Sequence, residues 1–367
     1  MCWKESRKGE RKVAVEVDIE KRLGNFQLSV QFQAGEETLA ILGSSGCGKT
    51  MTLKCIAGIE KPDCGRIVLN QKVLFDSAKG IDLPPQQRHT GLLFQDYALF
   101  SSMTVLENIM AGAYRRKKSL RKSLALDMIE RMGLKDLMNH YPAQLSGGQR
   151  QRTSLARMLL SAPEILLLDE PFSALDSHLR QKMEQEIKLL LRDFGKTAIL
   201  VSHDIEESYR MARRIAVMGE GVIENIGEKT ELYRNPKTKK GAQLLGCRNF
   251  SRAICQSGGW VYAQDWNLKL WAKKAQDRAG AACYVGIREG DFRLVRPGNP
   301  RENRCKCTVE GYLENPDCFI LLLRPHGAKA ETILRCQLPF GLDEMQKKDC
   351  TEVEIYLPPA AVMLLTE

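Results

Sequence analysis

A chain of 367 residues outgrows one ordinary hydrophobic core, and 43% hydrophobic with 27% charged side chains is the make-up of a soluble globular protein of two domains. No apolar run approaches the roughly 18–20 residues that cross a bilayer, and the charged residues 1–12 lack an apolar core, so a spanning helix and a signal peptide are excluded and the chain reads as cytoplasmic. The net charge of +10 does not single out nucleic acid, because the basic residues are spread and lack interleaved aromatics. Short clusters stand at Arg115-Arg116-Lys117-Lys118 and 237–240; a solvated surface, an anionic membrane face or an acidic partner fits them instead.

In chain order, residues 37–42 read as a buried strand and 51–57 as a helix closed by Gly58. A strand over 65–70 follows, then an extended region broken by Pro84-Pro85 and a further strand over 90–94. Helical patterning runs from 106 to 132 and stops at Gly133, with Leu106, Ile109, Met110 and Ala113 on one face. A second helical run, 150–160, follows a Ser146 cap, and strands read at 165–168, 197–201 and 214–218. Such alternation predicts a largely parallel α/β core with helices on both faces. The charged stretch 235–241 marks a boundary. Beyond it, short strands at 260–263, 268–272, 282–287, 307–313, 318–323 and 352–357 predict a small all-β barrel or a pair of them.

The twelve cysteines include no C-x-x-C, and Cys305-Lys306-Cys307 has no second pair. They read as reduced thiols packed as small hydrophobes, as Cys55 and Cys283 do beside apolar neighbours. Cys47 differs. At a helix N-terminus a thiolate is favoured, so its oxidation is expected to block nucleotide binding.

Between the first strand and helix, Gly43-Ser44-Ser45-Gly46-Cys47-Gly48-Lys49-Thr50 fits G-x-x-x-x-G-K-[ST], a loop that holds nucleotide phosphates. Its glycines let backbone N–H groups close on phosphate oxygens, and Lys49 adds a charge near the β and γ phosphates. Thr50 offers a hydroxyl to Mg²⁺, and the helix aims its positive end at the anion. Asp169, ending the apolar strand 165–168, is a second metal anchor, and Glu170 stands where a carboxylate can polarise an attacking water. Ser146-Gly147-Gly148-Gln149 opens another helix. An N-cap alone explains Ser146 but not two adjacent glycines, which free N–H groups for a ligand. Two half-cradles in one chain predict whole sites made by pairing two copies head to tail.

Taken in order, Gly43 to Thr50, Leu145-Ser146-Gly147-Gly148-Gln149 and 165–170 resemble the ATP-binding cassette of ABC transporters, over roughly residues 13–235. The fold so implied is an α/β P-loop NTPase cassette, a mixed sheet core with a helical subdomain, followed by a small all-β OB- or TOBE-like domain. The domains are set at 1–240, with the helical subdomain at about 96–160, and at 241–367. The resemblance further implies that Gln95 senses the γ phosphate and Mg²⁺ and faces a membrane subunit. It makes Ser173-Ala174-Leu175-Asp176 a D-loop communicating across the dimer, and places His203 on the γ phosphate. The implied catalytic set is Glu170, His203, Lys49 and Gln95, with Mg²⁺ held by Thr50, Gln95 and Asp169. ATP falls to Gly43 through Thr50, with Thr52 and Phe26. Leu23 stands where the family stacks adenine on an aromatic residue, so the base is held by Phe26 or by apolar contact. Ser102 departs too, replacing a basic or aromatic residue of close relatives.

A narrower likeness, carried by Gln95-Asp96-Tyr97-Ala98-Leu99-Phe100 and 103–109, is to importer cassettes for sulfate, molybdate, polyamines and sugars. Leu23-Gly24-Asn25-Phe26-Gln27-Leu28 and the β-rich tail are most similar to molybdate-type cassettes, which puts molybdate or tungstate first and sulfate second. The implied protein is an ATPase on the cytoplasmic face of the membrane, using ATP and Mg²⁺. Its partners are a second copy, integral permease subunits and, indirectly, a substrate-binding protein, with no nucleic acid. Asn249, Ser251, Arg252 and Arg288 are candidates for a regulatory anion site in the tail, a structural dimerisation module being the alternative. A soluble cassette ATPase acting on DNA or ribosomes is the remote rival.

Overall fold

Val15, Val17 and Ile19 are buried and the acidic residues between them are not, a two-residue alternation that makes β1 (Val15–Leu23) a strand with one face on the core. A tight turn at Gly24, whose φ is +59°, returns the chain as β2 (Phe26–Ala34), antiparallel to β1. The computed structural model describes residues 13–339 and 351–367, apart from 174, 277, 296, 297 and 299. It divides into two compact units at 229/230. Among the described residues no helix is long and apolar enough to cross a membrane.

The first unit is built on one sheet. β1 and β2 are joined by β3 (Thr38–Gly43), β4 (Cys64–Leu69), β5 (Lys72–Asp76), β6 (Ile81–Asp82), β7 (Thr90–Leu93), β8 (Ile165–Asp169), β9 (Thr197–Ser202), β10 (Arg214–Gly219) and β11 (Val222–Glu228). Their spatial order is β6-β5-β4-β1-β2-β11-β10-β3-β9-β8-β7. From β10 to β7 neighbouring strands run parallel; from β6 to β2 they run antiparallel. The core is therefore mixed rather than largely parallel. Only the half carrying β3, β8 and β9, buried at almost every position, meets the expectation for parallel strands covered on both faces.

Seven helices flank this sheet: α1 (Lys49–Ala57), α2 (Pro85–Arg88), α3 (Val105–Gly112), α4 (Lys118–Arg131), α5 (Gly147–Leu160), α6 (Ser177–Phe194) and α7 (Ile205–Met211). The single helical run expected over 106–132 is two helices. It breaks after Gly112, where α3 crosses α5 so closely that a Cβ would lie 2.0 Å from the Arg157 carbonyl oxygen. Arg121 then donates to the Tyr114 and Arg116 carbonyls that the break leaves free. Val105, Ile109, Ile129, Leu145 and Ala156 give α3, α4 and α5 a core of their own, distinct from that of the sheet.

In the second unit, β12 (Asn249–Cys255), β13 (Trp260–Ala263), β14 (Leu268–Trp271), β15 (Ala282–Ile287) and β21 (Met363–Leu365) form one five-stranded sheet, ordered β14-β13-β12-β15-β21. β16 (Arg293–Leu294), β17 (Arg304–Glu314), β18 (Cys318–Pro325), β19 (Leu334–Pro339) and β20 (Glu352–Tyr356) form another, ordered β16-β20-β17-β18-β19. The two share a core around fully buried Trp266, Cys307 and Cys336, an all-β arrangement consistent with an OB-like domain. The described cysteines are free thiols, and nine of the ten lie buried or half-buried among such neighbours.

The four residues proposed for a regulatory anion are spent on the fold itself. Asn249 donates to the Ile287 and Arg335 carbonyls and accepts from the Arg335 N–H. Ser251 donates to Arg252 O and accepts from Asp265 N–H, while the Arg252 guanidinium lies 2.7 Å from the Asp265 carboxylate. That hydrogen bond holds Asp265 down to about 2. Arg288 donates to the Leu245 and Tyr233 carbonyls and covers the Tyr233 ring at 3.6 Å. Their polar groups are thus turned onto neighbouring backbone and carboxylate.

The α3–α5 crossing gives a direct check on this packing. Alanine is about 1 kcal/mol the better helix former than glycine, but overpacking a close contact costs about 1–3 kcal/mol. Gly112→Ala should therefore lower the urea midpoint of unfolding, and a stabilised variant would mean that the two helices do not meet at this distance.

Candidate active site

Parallel pairing aligns the strand ends that carry chemistry. Leu42 of β3 is paired with Ser202 of β9, and Asp169 of β8 with Val201 of β9, so the three strands finish at one edge of the sheet. The loops leaving that edge are residues 43–48 after β3, Glu170 after β8, His203 after β9 and Gln95 after neighbouring β7. Ligands of open α/β sheets gather outside such carboxyl ends.

The 43–50 loop is closed by its own lysine. Lys49, buried, donates from Nζ to the Gly43 and Ser44 carbonyls at 2.9 Å each and lies 3.8 Å from Glu170 Oε1. Gly46 and Gly48 take left-handed φ of +79° and +105°, where a side chain is strained. Beside Gly46 there is open space, whereas a Cβ on Gly48 would strike Leu28, Met218 and the Phe26 ring. The loop thus rests on the core through Gly48 and is open at Ser44, Ser45 and Gly46, which are exposed.

Thr50 Oγ1 donates to Asp169 Oδ1 at 2.8 Å. Burial raises the Asp169 pKa, and the Thr50 hydrogen bond opposes that rise. A hydroxyl and a carboxylate so placed suit a hard divalent cation, and Mg²⁺ ordinarily needs only one or two protein carboxylates beside substrate phosphates. That fits a chain in which no group of three His, Cys, Asp or Glu ligands assembles among the described residues. Glu170 is reached from three sides. His203 Nδ1 lies 3.3 Å from Oε2, Lys49 approaches Oε1, and Ser173 Oγ donates to the Glu170 carbonyl at 3.0 Å. Gln95 Nε2 donates to Ser173 Oγ at 3.3 Å, bringing the Gln95 loop to the same cluster. Lys49, Thr50, Gln95, Asp169, Glu170, Ser173 and His203 are therefore gathered, with His203 open at 58% exposure.

Some expectations change. Thr52 is fully buried and its hydroxyl donates to Gly48 O, so it supports the loop rather than meeting a ligand. Cys47 points into the core and its thiol pKa is raised, because burial outweighs Lys49 and the helix end that favour a thiolate. It is not a poised redox group. Phe26 is half-buried against the core and the Gly48 side of the loop, while Leu23 at the β1 end is more exposed. Ser102 is exposed, and nothing in the structure explains its departure.

The Ser-Gly-Gly turn sits elsewhere, on α5. Ser146 caps that helix, accepting from Gln149 N–H, and Gln149 Oε1 accepts from Ser146 N–H at 2.8 Å. Gly147 faces Leu175 and Gly148 faces Leu179, and Leu145 is buried in the helical core rather than offered outward. Among the described residues the hydrogen bonds of 146–149 include none to the 43–50 loop. In the Ser173 to Asp176 loop, Leu175 is buried and Asp176 caps α6 by accepting from Leu179 N–H; Ala174 lies outside the described residues. Gln151, fully buried on α5 with its Nε2 2.8 Å from Pro171 O, was not anticipated. A buried polar residue on a helix gives no sequence signal of what it touches.

The comparisons with known proteins accord with this geometry. A family model described as ABC transporter matches residues 26–173. The trehalose/maltose import ATP-binding protein of Thermococcus litoralis is 38% identical over 80% of this chain and 83% of its own length. The sulfate/thiosulfate import ATP-binding protein of Chromobacterium violaceum is 41% identical over 93% of this chain and 92% of its own. The spermidine/putrescine import ATP-binding protein of Bacillus cereus is 43% identical over 69% and 76% respectively. Among solved structures, the dimeric post-hydrolysis state of an ATP-binding cassette bound to ADP and Pi has a TM-score of 0.50 at 30% identity. It covers 59% of this chain and 98% of that one.

Beyond His203, Asp204 caps α7 by accepting from Glu206 and Glu207 N–H. Glu207 is buried, its Oε1 has no partner, and its carboxyl is pushed up to about 8, mainly by burial and against a Ser202 hydrogen bond. Asp204 and Glu184 push the same way and Arg180 opposes them. A raised folded value means that stability present below the unfolded pKa, near 4.5, is lost as pH climbs through about 8. Relative to the parent, Glu207→Gln should gain stability from pH 5 to pH 8 and then level off. A urea-midpoint difference that is flat with pH would contradict the buried placement.

Proposed function

Because the chain belongs to the ABC transporter family, as an importer-type ATPase, we propose that it works as one half of a head-to-tail pair enclosing two ATP molecules. One observation carries this reading: the phosphate loop and the Ser146 turn are separate half-cradles on different elements. Each ATP lies between Gly43 to Thr50 of one copy and 146–149 of the other. Lys49 and His203 neutralise charge on the γ phosphate, and Glu170 takes the proton of the attacking water. Thr50 and Asp169, with Gln95 nearby, would hold Mg²⁺, which would supply further positive charge to the phosphates. Phe26 and Leu23 offer the base an apolar contact. ATP draws the pair together because it touches both halves, and ADP does not.

Below the Gln95 loop runs a groove of about 450 Å³ lined by Phe94, Phe100, Tyr114, Arg157 and Ser161. Phe100 and Tyr114 are exposed, as befits a seat for a short helix of a membrane subunit. The protein then stands at the cytoplasmic face of the membrane, moved by closure against permease subunits. We take 241–367 as a dimerisation or regulatory module of TOBE type.

For the solute, an oxyanion is favoured, since the sulfate/thiosulfate relative matches this chain through both units. Sulfate thereby moves ahead of molybdate or tungstate, with sugar and polyamine the alternatives. Loss of labelled sulfate uptake in a strain lacking the chain, with maltose and spermidine uptake unchanged, is the expected outcome; intact sulfate uptake would reassign the solute.

Two substitutions separate fuel use from pairing. Glu170→Gln should bind ATP yet hydrolyse it about 10²-fold or more slowly, as loss of a positioned base implies; a near-normal rate would reassign the base. Ser146→Arg should leave ATP binding by the single chain intact and abolish ATP-driven dimers in gel filtration. Normal dimers would sink the shared site.

A further inference from the structure

Three non-glycine residues with left-handed backbone lie in the two loops that meet at Ser173: Tyr97 (φ 63°), Ala98 (φ 42°) and Glu170 (φ 42°). Such conformations are unfavourable for residues bearing a Cβ and persist only where the surroundings hold them. Local bonds hold them in part, with Ser173 Oγ donating to Glu170 O and Tyr97 N–H to Phe94 O, and one helix, α5, reaches both loops. Gln151 Nε2 donates to Pro171 O, directly after Glu170, at 2.8 Å. Ser154 Oγ donates to Tyr97 O at 2.9 Å. Arg157 donates to Tyr97 O at 3.2 Å and to Ala98 O at 2.8 Å, with its guanidinium over the Phe100 ring at 5.1 Å.

These three side chains recur every third residue and so share one side of the helix. Gln151 and Ser154 are buried, and Gln151 Oε1 finds no partner. Burying an amide with its oxygen unpaired is costly, and an apolar residue of equal length would fill the space without that cost. What the amide adds is the N–H to Pro171. Gln151 also stands only five positions from Ser146, about 7.5 Å along a rigid helix.

We propose that α5 sets both loops at once, with Gln151 the positioning residue for the Glu170 turn and Ser154 and Arg157 those for the Tyr97–Ala98 turn. A shift of α5 at its Ser146 end then reaches the Glu170 carboxylate and the Gln95 loop together. Coupling between the separated sites then requires that each left-handed turn have a second arrangement for α5 to bias. This rests on the reading of Glu170 as base and of 146–149 as the part that meets the opposite copy's nucleotide.

Gln151→Met keeps length and bulk and removes the donor. It should lower kcat for ATP hydrolysis about tenfold or more while KM for ATP stays within about twofold, the split expected when only a reacting geometry is lost. Stability should not fall. Joined to Glu170→Gln, it should cost nothing beyond Glu170→Gln alone, because the two act as a unit. An unchanged kcat, or losses that multiply, would overturn the proposal. Should Gln151→Met fail to fold, Gln151→Leu, which carries no donor, must show the same split between kcat and KM; a normal kcat there overturns it equally. Failure of the underlying reading looks different: Glu170→Gln itself would then turn over normally, whatever Gln151→Met does.

Discussion

The parallel register of β3, β9 and β8 is the constraint on which the rest of this molecule depends. It places Gly43, Ser202 and Asp169 at one edge, so that loops far apart in the chain open side by side. Thr50 and Asp169, 119 positions apart, can then share a hydrogen bond of 2.8 Å. All three strands are buried almost throughout, and a slip of one residue would turn apolar side chains out of their layers. Hydrophobic burial thereby fixes the position of a charged cluster that has little means of fixing itself.

Within that frame the site is held from below more than from above. Lys49 is tied to the carbonyls of its own loop, Thr52 to Gly48, and Glu170 to Ser173 and the Gln151-bound Pro171. The upper side, at Ser44, Ser45, Gly46 and His203, is open to solvent. A half-site with a rigid floor and no roof leaves water free to enter. Closing it needs a second surface, and the turn at Ser146 offers one with its own N–H groups. A mixture of firm support and missing cover is the physical reason to regard fuel consumption and pairing as one event.

Much of this was legible in the chain. The phosphate loop, the acidic pair after β8 and the histidine after β9 depend on local patterns, and the structure brings them together. Legibility ended where direction decides. Whether Cys47 and Thr52 point toward a ligand or the core turns on the helix phase and on Gly43 and Gly48, not on residue type. β12 carries no clear apolar alternation, because Asn249 and Ser251 are buried polar residues of it. The split between α3 and α4 falls beside a contact of Gly112 with Arg157, forty-five residues away by position, which no periodicity reports. In the tail, too, partners are not legible: Arg252 and Arg288 are bound to a carboxylate and to carbonyls in space.

The shared clasp is most directly tested by mixing two inactive chains, one carrying Lys49→Ala and the other Ser146→Arg. In a mixed pair one site regains an intact Lys49 and an intact Ser146 from different copies, while the other site loses both. If each nucleotide is held by two chains, an equal mixture should recover ATPase activity, up to about a quarter of the unmodified level, since half the pairs are mixed and each has one whole site. Mixed pairs that form and remain inactive would place Lys49 and Ser146 in the same site of a single chain, and would contradict the account.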